Sequence, residues 1–520
     1  MVAVVVEGWF DGERRHEAGP TTMVVEDGVV TSIESADLGD ALAARGMEVE
    51  RAPYLVPGLV DTHVHLFLDG GSIDGAGRSS HLKQPVGMLA ETARRSAHAA
   101  LGCGVTLVRD AGDRHGINHA VGAEARQHPE RLAQVRSGGI GIKRAKRYGA
   151  FMAIDVEDEA DITRSVEQLA ATNDEIKLLL TGIIDFNLGA VTEPPQFTAA
   201  EARLVVEEAR RHGRNVFAHC SGVEGLRAAV EAGVGSIEHG FFMTRSILEV
   251  MAEKRIAWTP TFSPVHFQWA HPEVAGWSPQ AVSHLRRILD DHAEHLLLAH
   301  RLGVPLLLGT DAGSMGVEHG HAVLEEMKRF REAGLPMQAV LAAATARLLS
   351  VIGVEGQRRR VGLAAHRDGD DVAPRLEPLP GRPGDDTTAV LADELDVAVA
   401  PVGEAHRQMQ RAALVRDAQV GAHVLQQRLD LDDLGDLDDR RGRVLRDGVV
   451  RGRIVGHELL GGLVGPRRDG RGERRIGVHR LRRPVGVVEA PPRLRDQPAV
   501  VRSRERDARR HAAPGAAGRQ

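Results

Sequence analysis

Six residues of this chain could together bind metal and move protons: His63, His65, Lys177, His219, His239 and Asp311. His63 and His65 end the stretch Pro57-Gly58-Leu59-Val60-Asp61-Thr62-His63-Val64-His65, which continues an apolar run from Tyr54. Such a run reads as a buried strand. Side chains on a strand alternate faces, so the two imidazoles point the same way and can share one ion. A bare His-x-His is more often a pair of ordinary histidines. Here four more polar residues sit at or near the ends of apolar runs, which changes the weighing. They are Lys177 in Glu175-Ile176-Lys177-Leu178, His219 in Phe217-Ala218-His219, His239 in Ser236-Ile237-Glu238-His239-Gly240, and Asp311 in Gly309-Thr310-Asp311-Ala312-Gly313. Neutral imidazole and carboxylate are good zinc ligands, and ammonium is not. Lys177 is the anomaly, because a charged amine buried beside cations is strongly disfavoured.

The elements that must position these residues follow a strand-helix alternation. Strands are expected at Leu55–Asp61, Val105–Asp110, Ala133–Ser137, Ile176–Leu180, Val216–Ala218, Gly235–Glu238, Ala257–Thr261 and Pro305–Gly309. Helical runs fall at Met88–Leu101, Ile162–Thr172, Ala199–His212, Leu226–Ala232, Ser246–Lys254, Pro279–Leu302 and Met337–Ile352. Eight strands, each followed by a helix or a helix-sized gap, predict an α/β fold, a (β/α)₈ barrel over residues 55–354. In such a barrel the C-terminal strand ends face one cavity. The third unit is the least regular, and Gly138 to Ile154 reads as a long loop. Residues 1–54 read as a small β unit, with strands in Val2–Val6, Thr22–Glu26 and Gly28–Ile33. So few strands cannot enclose a core alone.

These motifs resemble the amidohydrolase superfamily of metal-dependent hydrolases, in its prolidase-like and imidazolonepropionase-like branch. The resemblance rests on the ordered set of strand-end motifs and covers about residues 1–354. It implies two divalent ions, most commonly zinc. His63, His65 and Asp311 would hold the more buried ion, and His219 and His239 the more exposed one. Carbon dioxide adding to Lys177 would make a carbamate that bridges the two. The resemblance further implies hydrolysis of an amide, peptide or cyclic amide bond through a metal-bound hydroxide, with Asp311 as the proton acceptor and donor. The expected substrate is a small dipeptide-like or N-acyl amino acid molecule. A mononuclear cyclic-amide hydrolase or deaminase is the second enzyme reading, and Lys177 speaks against it. A non-catalytic metal-binding or damaged product is the third.

Other residues carry weaker signals. His319, after the eighth strand, and Tyr148, after the third, are candidates to touch substrate. Arg144 and Arg147 share Tyr148's loop and read as a solvated face. Asp61 shares the face of His63 and could support a ligand or serve the fold alone. Cys220 should point away from His219 and pack. Gly70-Gly71 and Gly75 to Gly77 suggest a mobile loop, and Arg109-Asp110 a packing ion pair.

A net charge of −6 argues for neither nucleic acid nor membrane. Two cysteines exclude a disulfide framework, and no apolar run approaches a membrane span, so a cytoplasmic protein is the expectation. A homo-oligomer stays open. Beyond about Gly356 the composition breaks: every Phe, Trp, Tyr, Lys, Asn and Cys lies before that point. Residues 355–520 read as an Arg/Asp/Gly-rich tail that is not a folded domain, an out-of-frame translation first and a natural extension second. A nucleic-acid-binding tail is a third reading, which the missing lysines and aromatic residues oppose.

Overall fold

A computed structural model describes residues 1–26 and 29–351. The tail from 355 onward lies outside the described residues. Among the described residues no helix is long and apolar enough to cross a membrane.

The N-terminal unit is a five-stranded sheet built round Val2–Phe10. That strand pairs antiparallel with Thr21–Glu26 on one side and parallel with Glu48–Leu55 on the other. Ala3, Val4, Val5 and Val6 are all buried, as befits a central strand. The Glu48–Leu55 strand corrects two expectations. It supplies an edge partner that the sequence reading lacked, and it takes Leu55 away from the barrel. Pro57, with no N–H, and Gly58 break the apolar run. The first barrel strand therefore begins at Leu59 and runs Leu59–Val64.

The barrel strands follow in chain order. Leu59–Val64 pairs parallel with Val105–Asp110, which pairs with Gln134–Ser137. Ile176–Leu179, Val216–Cys220, Ser236–His239 and Ala257–Thr259 form a second parallel run. The third strand is split. After Gly138-Gly139 the chain re-enters the barrel as Gly141–Lys143, which pairs with the fourth strand through Ile142 and Leu178. It also pairs with Ala153–Asp155, so the stretch expected to be a loop carries two short strands. Gly139 adopts a left-handed φ, and a Cβ there would lie 1.9 Å from the Asn173 side chain. Only glycine fits that turn.

The eighth segment closes the circle with single bonds rather than a ladder. Leu307 N–H donates to Trp258 O at 2.8 Å, and Thr62 N–H to Leu308 O at 2.9 Å. Near the other end of that seam Ala343 and Ala344 intervene, accepting from Leu308 N–H at 3.2 Å and Val60 N–H at 2.7 Å. Helices cover the outside, among them Val86–Gly102, Glu159–Ala170, Ala199–Arg211, Val223–Ala232, Arg245–Lys254 and Pro279–Leu302. The helical run from Met337 is two pieces, Met337–Ala343 and Arg347–Val351. Among the described residues, six helices were illegible beforehand: Gly39–Ala43, Ser263–Ala270, Pro272–Ala275, Ile117–Gln127, His321–Glu332 and the short Gly75–His81. In the last of these the Asp74 carboxylate accepts from Gly77 N–H and caps the turn, so this glycine-rich stretch is not an irregular loop.

Candidate metal centre

Strand alternation delivers part of the site. Asp61, His63 and His65 share one face of the first strand, and Glu175, Lys177 and Leu179 one face at the fourth. Phe217 and His219 do the same on the fifth. The inward residues below the strand ends are polar or charged: Arg109, Glu175, Ser236, Glu238 and Thr259 are all buried. Tertiary constraint delivers the remainder. His239 and Asp311 take φ of 68° and 57°, and Thr261 53°. Such left-handed backbone is uncommon for non-glycine residues and collects at functional sites. It allows Glu238 and His239, neighbours in sequence, both to serve the interior.

The result is a compact cluster. One ligand atom each from His63, His65 and Asp311 lies within 4.8 Å of the others. Asp311 Oδ1 is 3.7 Å from Nε2 of both histidines. The His63 and His239 rings lie 4.8 Å apart between centroids, and His239 and His219 4.5 Å. The far nitrogens of the rings are held. His63 Nδ1 donates to Glu238 Oε2 at 2.7 Å, and His65 Nδ1 to Gly112 O at 3.1 Å. His219 Nε2 faces Gly182 O at 3.4 Å, and His239 Nδ1 lies 2.8 Å from Thr261 Oγ1. Each ring thus keeps one nitrogen for the cluster.

The electrostatics favour the metal-binding form of the four imidazoles. Burial first, then the Lys177 charge, pushes the His65 and His219 imidazoles down to about 3. His63 and His239 are driven well down, chiefly by burial. All four are neutral imidazoles at neutral pH. Burial lowers the Lys177 amine to about 8 and raises the Asp311 carboxyl to about 7. His63 Nε2 and Lys177 Nζ are buried without a hydrogen-bond partner. Unpaired buried polar atoms are costly, and the free His63 Nε2 beside Asp311 fits a bound cation, whereas Lys177 fits one only when its amine is uncharged or modified. The residues present fit one or more divalent ions.

The other candidates have these surroundings. His319 is buried, hydrogen-bonds the His65 backbone and leaves Nε2 unpaired. The Tyr148 ring lies 5.2 Å from that of His219. Arg144 and Arg147 are tied to Glu201 and Glu193. Asp61 accepts from Thr310 N–H at 3.0 Å and Thr310 Oγ1 at 2.6 Å, pinning the segment that carries Asp311. Cys220 is fully buried.

Arg109 and Asp110 are not an ion pair with each other. Arg109 turns into the barrel and bonds Glu238 Oε1 at 2.7 Å and Thr62 O at 2.7 Å. Asp110 accepts from Leu66 N–H and Gly112 N–H outside that interior. As neighbours on one strand they face opposite ways. The sequence reading assigned no role to Glu238 or Thr261, and it paired Arg109 with the wrong carboxylate. Alternation from Ser236 puts Glu238 inside, and that was the available signal.

Comparison with known proteins agrees with this geometry. The model of the "Amidohydrolase family" matches residues 54–355, more than half of the chain. An uncharacterised protein of Mycobacterium tuberculosis is 27% identical over 294 residues, 56% of this chain and 72% of that one. Ochratoxinase of Aspergillus niger is 28% identical over 370 residues, 66% of this chain and 74% of that one. Among solved structures, a Xaa-Pro dipeptidase with bound methionine in its active site superposes with a TM-score of 0.56 at 22% identity. It covers 69% of this chain and 91% of that one. The matched span takes in the first barrel strand, every member of the cluster and the segment that closes the barrel. The chain therefore belongs to the amidohydrolase family, hydrolases of carbon–nitrogen bonds.

Proposed function

We propose that the chain is a binuclear metal-dependent amidohydrolase that cleaves an amide or peptide bond in a small dipeptide-like or N-acyl amino acid substrate. One observation carries this reading. His63, His65 and Asp311 form one tight group, the His239 and His219 rings lie next to it, and the buried Lys177 amine, without a hydrogen-bond partner among the described residues, bears on the charge of all five. An ammonium repels cations, whereas a carbamate on Lys177 would join them as an anion, and burial already disfavours the charged amine. The names of the ochratoxinase and Xaa-Pro dipeptidase relatives support the substrate class.

His63, His65 and Asp311 would hold one divalent ion, His219 and His239 the other, and a carboxylated Lys177 would serve as a further anionic ligand. Zinc suits this donor set. Bound there, the ions supply Lewis acidity toward the scissile carbonyl and acidify a water. Asp311 does the proton work. The water oxygen bonds the carbonyl carbon while its proton passes to the Asp311 carboxylate. The carbon–nitrogen bond then breaks, and Asp311 returns the proton to the leaving nitrogen. Products are a carboxylic acid and an amine, which at neutral pH ionise to carboxylate and ammonium. The Ser314 hydroxyl donates to Asp311 Oδ2 at 3.1 Å, steadying the carboxylate for both transfers. His319 and Tyr148 flank the cluster and are assigned to substrate contact.

One observation favours a mononuclear version: His63, His65 and Asp311 alone, among the described residues, form a group tight enough for a shared ion. Elemental analysis of protein expressed with zinc and bicarbonate separates the two. Two ions per chain and a carbamate mass on Lys177 are expected. One ion and an unmodified lysine would overturn the binuclear reading. A screen of Xaa-Pro dipeptides and N-acyl amino acids tests the substrate class.

A further inference from the structure

Beneath the cluster runs a chain of buried charges that the reaction does not use directly. Arg136 Nε bonds Glu175 Oε2 at 2.7 Å, and Glu175 Oε1 lies 3.8 Å from Arg109 Nη1. Arg109 Nη2 bonds Glu238 Oε1 at 2.7 Å, and Ser236 Oγ donates to the same oxygen at 2.5 Å. The other oxygen of Glu238 takes the His63 Nδ1 proton at 2.7 Å. Arg109, Glu175, Glu238 and His63 are each at most 2% exposed. A buried carboxylate with a charged donor on one oxygen and an imidazole N–H on the other has fixed hydrogen-bond polarity.

We infer that Glu238 is a positioning residue. Held by Arg109 and Ser236, its carboxylate keeps the His63 proton on Nδ1 and the Nε2 lone pair toward His65 and Asp311, and so sets metal affinity there. The inference rests on reading the cluster as a metal site. Glutamine at 238 has one acceptor where the carboxylate has two. The charged Arg109 donor and Ser236 Oγ claim that acceptor, which leaves the amide NH₂ facing His63 Nδ1. Two donors cannot share a hydrogen bond, so His63 shifts its proton to Nε2 and loses the lone pair that a metal needs. Loss of a partner of this kind typically lowers metal affinity by about 10–100-fold.

The test uses the full chain stripped of metal, with ¹⁵N-labelled histidine. The His63 signal is identified by its loss in His63→Asn. In the wild type the expected tautomer is Nδ1–H, and finding Nε2–H would overturn the inference before any Glu238 variant is made. Glu238→Gln should switch the signal to Nε2–H. It should also weaken binding of zinc, titrated against a chromogenic chelator, by about 10–100-fold. Glu175→Gln disturbs the same charge chain one step further from His63. It should lower thermal stability while leaving the tautomer and zinc affinity within about twofold. An unchanged tautomer and affinity in Glu238→Gln, or equal losses in Glu175→Gln, would reduce Glu238 to a structural role. If Glu238→Gln does not fold, Arg109→Lys keeps the charge, loses the fork and should give a smaller loss of zinc affinity; unaltered binding there would count against the inference. A tautomer that switches in Glu238→Gln while the wild type binds no zinc would support the Glu238–His63 link and overturn the metal-site reading.

Discussion

Glu326 offers a test of how the fold holds the rim of the site. It lies on the helix His321–Glu332 and is fully buried. Its carboxylate accepts from Phe262 N–H at 2.7 Å, Ser263 N–H at 3.0 Å and Ser263 Oγ at 2.6 Å. These groups open the helix Ser263–Ala270, which has no side-chain cap of its own. Glu326 thus caps, from another element, the helix that follows the seventh strand. Burial raises its carboxyl from 4.5 to about 7, and the bonds from Ser263 and Phe262 oppose that rise without cancelling it. The sign follows from linkage. A carboxyl that holds its proton more tightly when folded adds stability that is fully present below about pH 4.5. That stability is lost as pH rises through about 7. At about 1.4 kcal/mol per pH decade the component is about 3 kcal/mol. Glu326→Gln has no such proton, so wild type minus variant isolates the effect while other groups cancel. The difference in unfolding free energy should fall by about 3 kcal/mol between pH 4.5 and pH 7.5. For a unit of roughly 350 residues this corresponds to about 4 °C in Tm. Parallel urea or thermal melts of the two full-length proteins across that range provide the assay. Curves that stay parallel within about 0.5 kcal/mol, or that diverge in the opposite sense, would refute the reasoning.

Further outcomes follow from the same geometry. Asp311→Asn should preserve the melt and lower turnover by about 10²–10⁴, since an amide cannot take the proton; near wild-type kcat on a good substrate would remove Asp311 from the mechanism. His319→Ala should raise KM with a smaller effect on kcat, and steady-state kinetics showing an unchanged KM would count against substrate contact. Asp61→Ala strands Thr310 N–H and Oγ1 in the interior, so urea unfolding should show a loss of about 2–4 kcal/mol. A loss under 1 kcal/mol would mean that the eighth segment is held by its backbone bonds alone. Lys177→Met should leave at most one ion per chain and abolish any stimulation of metal uptake by bicarbonate. Two ions retained in elemental analysis would exclude Lys177 as a bridge.

Much of this protein could be read locally. Apolar runs ending in polar residues located the barrel strands, because strand burial and face alternation depend on a few neighbouring residues. The parity of His63 and His65, of Glu175 and Lys177, and of Phe217 and His219 follows from that rule alone. Helices such as Pro279–Leu302 were equally visible, with Pro279 at the start, Ser278 as cap and Gly303 at the end. What the local pattern could not decide was set by contacts between distant residues. The break at Pro57-Gly58 depends on Glu48–Leu55 finding Val2–Phe10. The split third strand depends on Ile142 meeting Leu178. His239 would face away from the interior if its strand stayed regular; a left-handed φ turns it in, and Asp311 shares that conformation. Arg109 looked like a partner for Asp110 because they are adjacent. Its actual partner, Glu238, is 129 residues away, and Glu238 reaches His63 across 175. Strand order brings those side chains into one dry layer, where an unpaired charge costs too much to persist. The sequence by itself determined which residues could bind metal; only the closed barrel decided which nitrogen each ring presents and which buried charges hold it there.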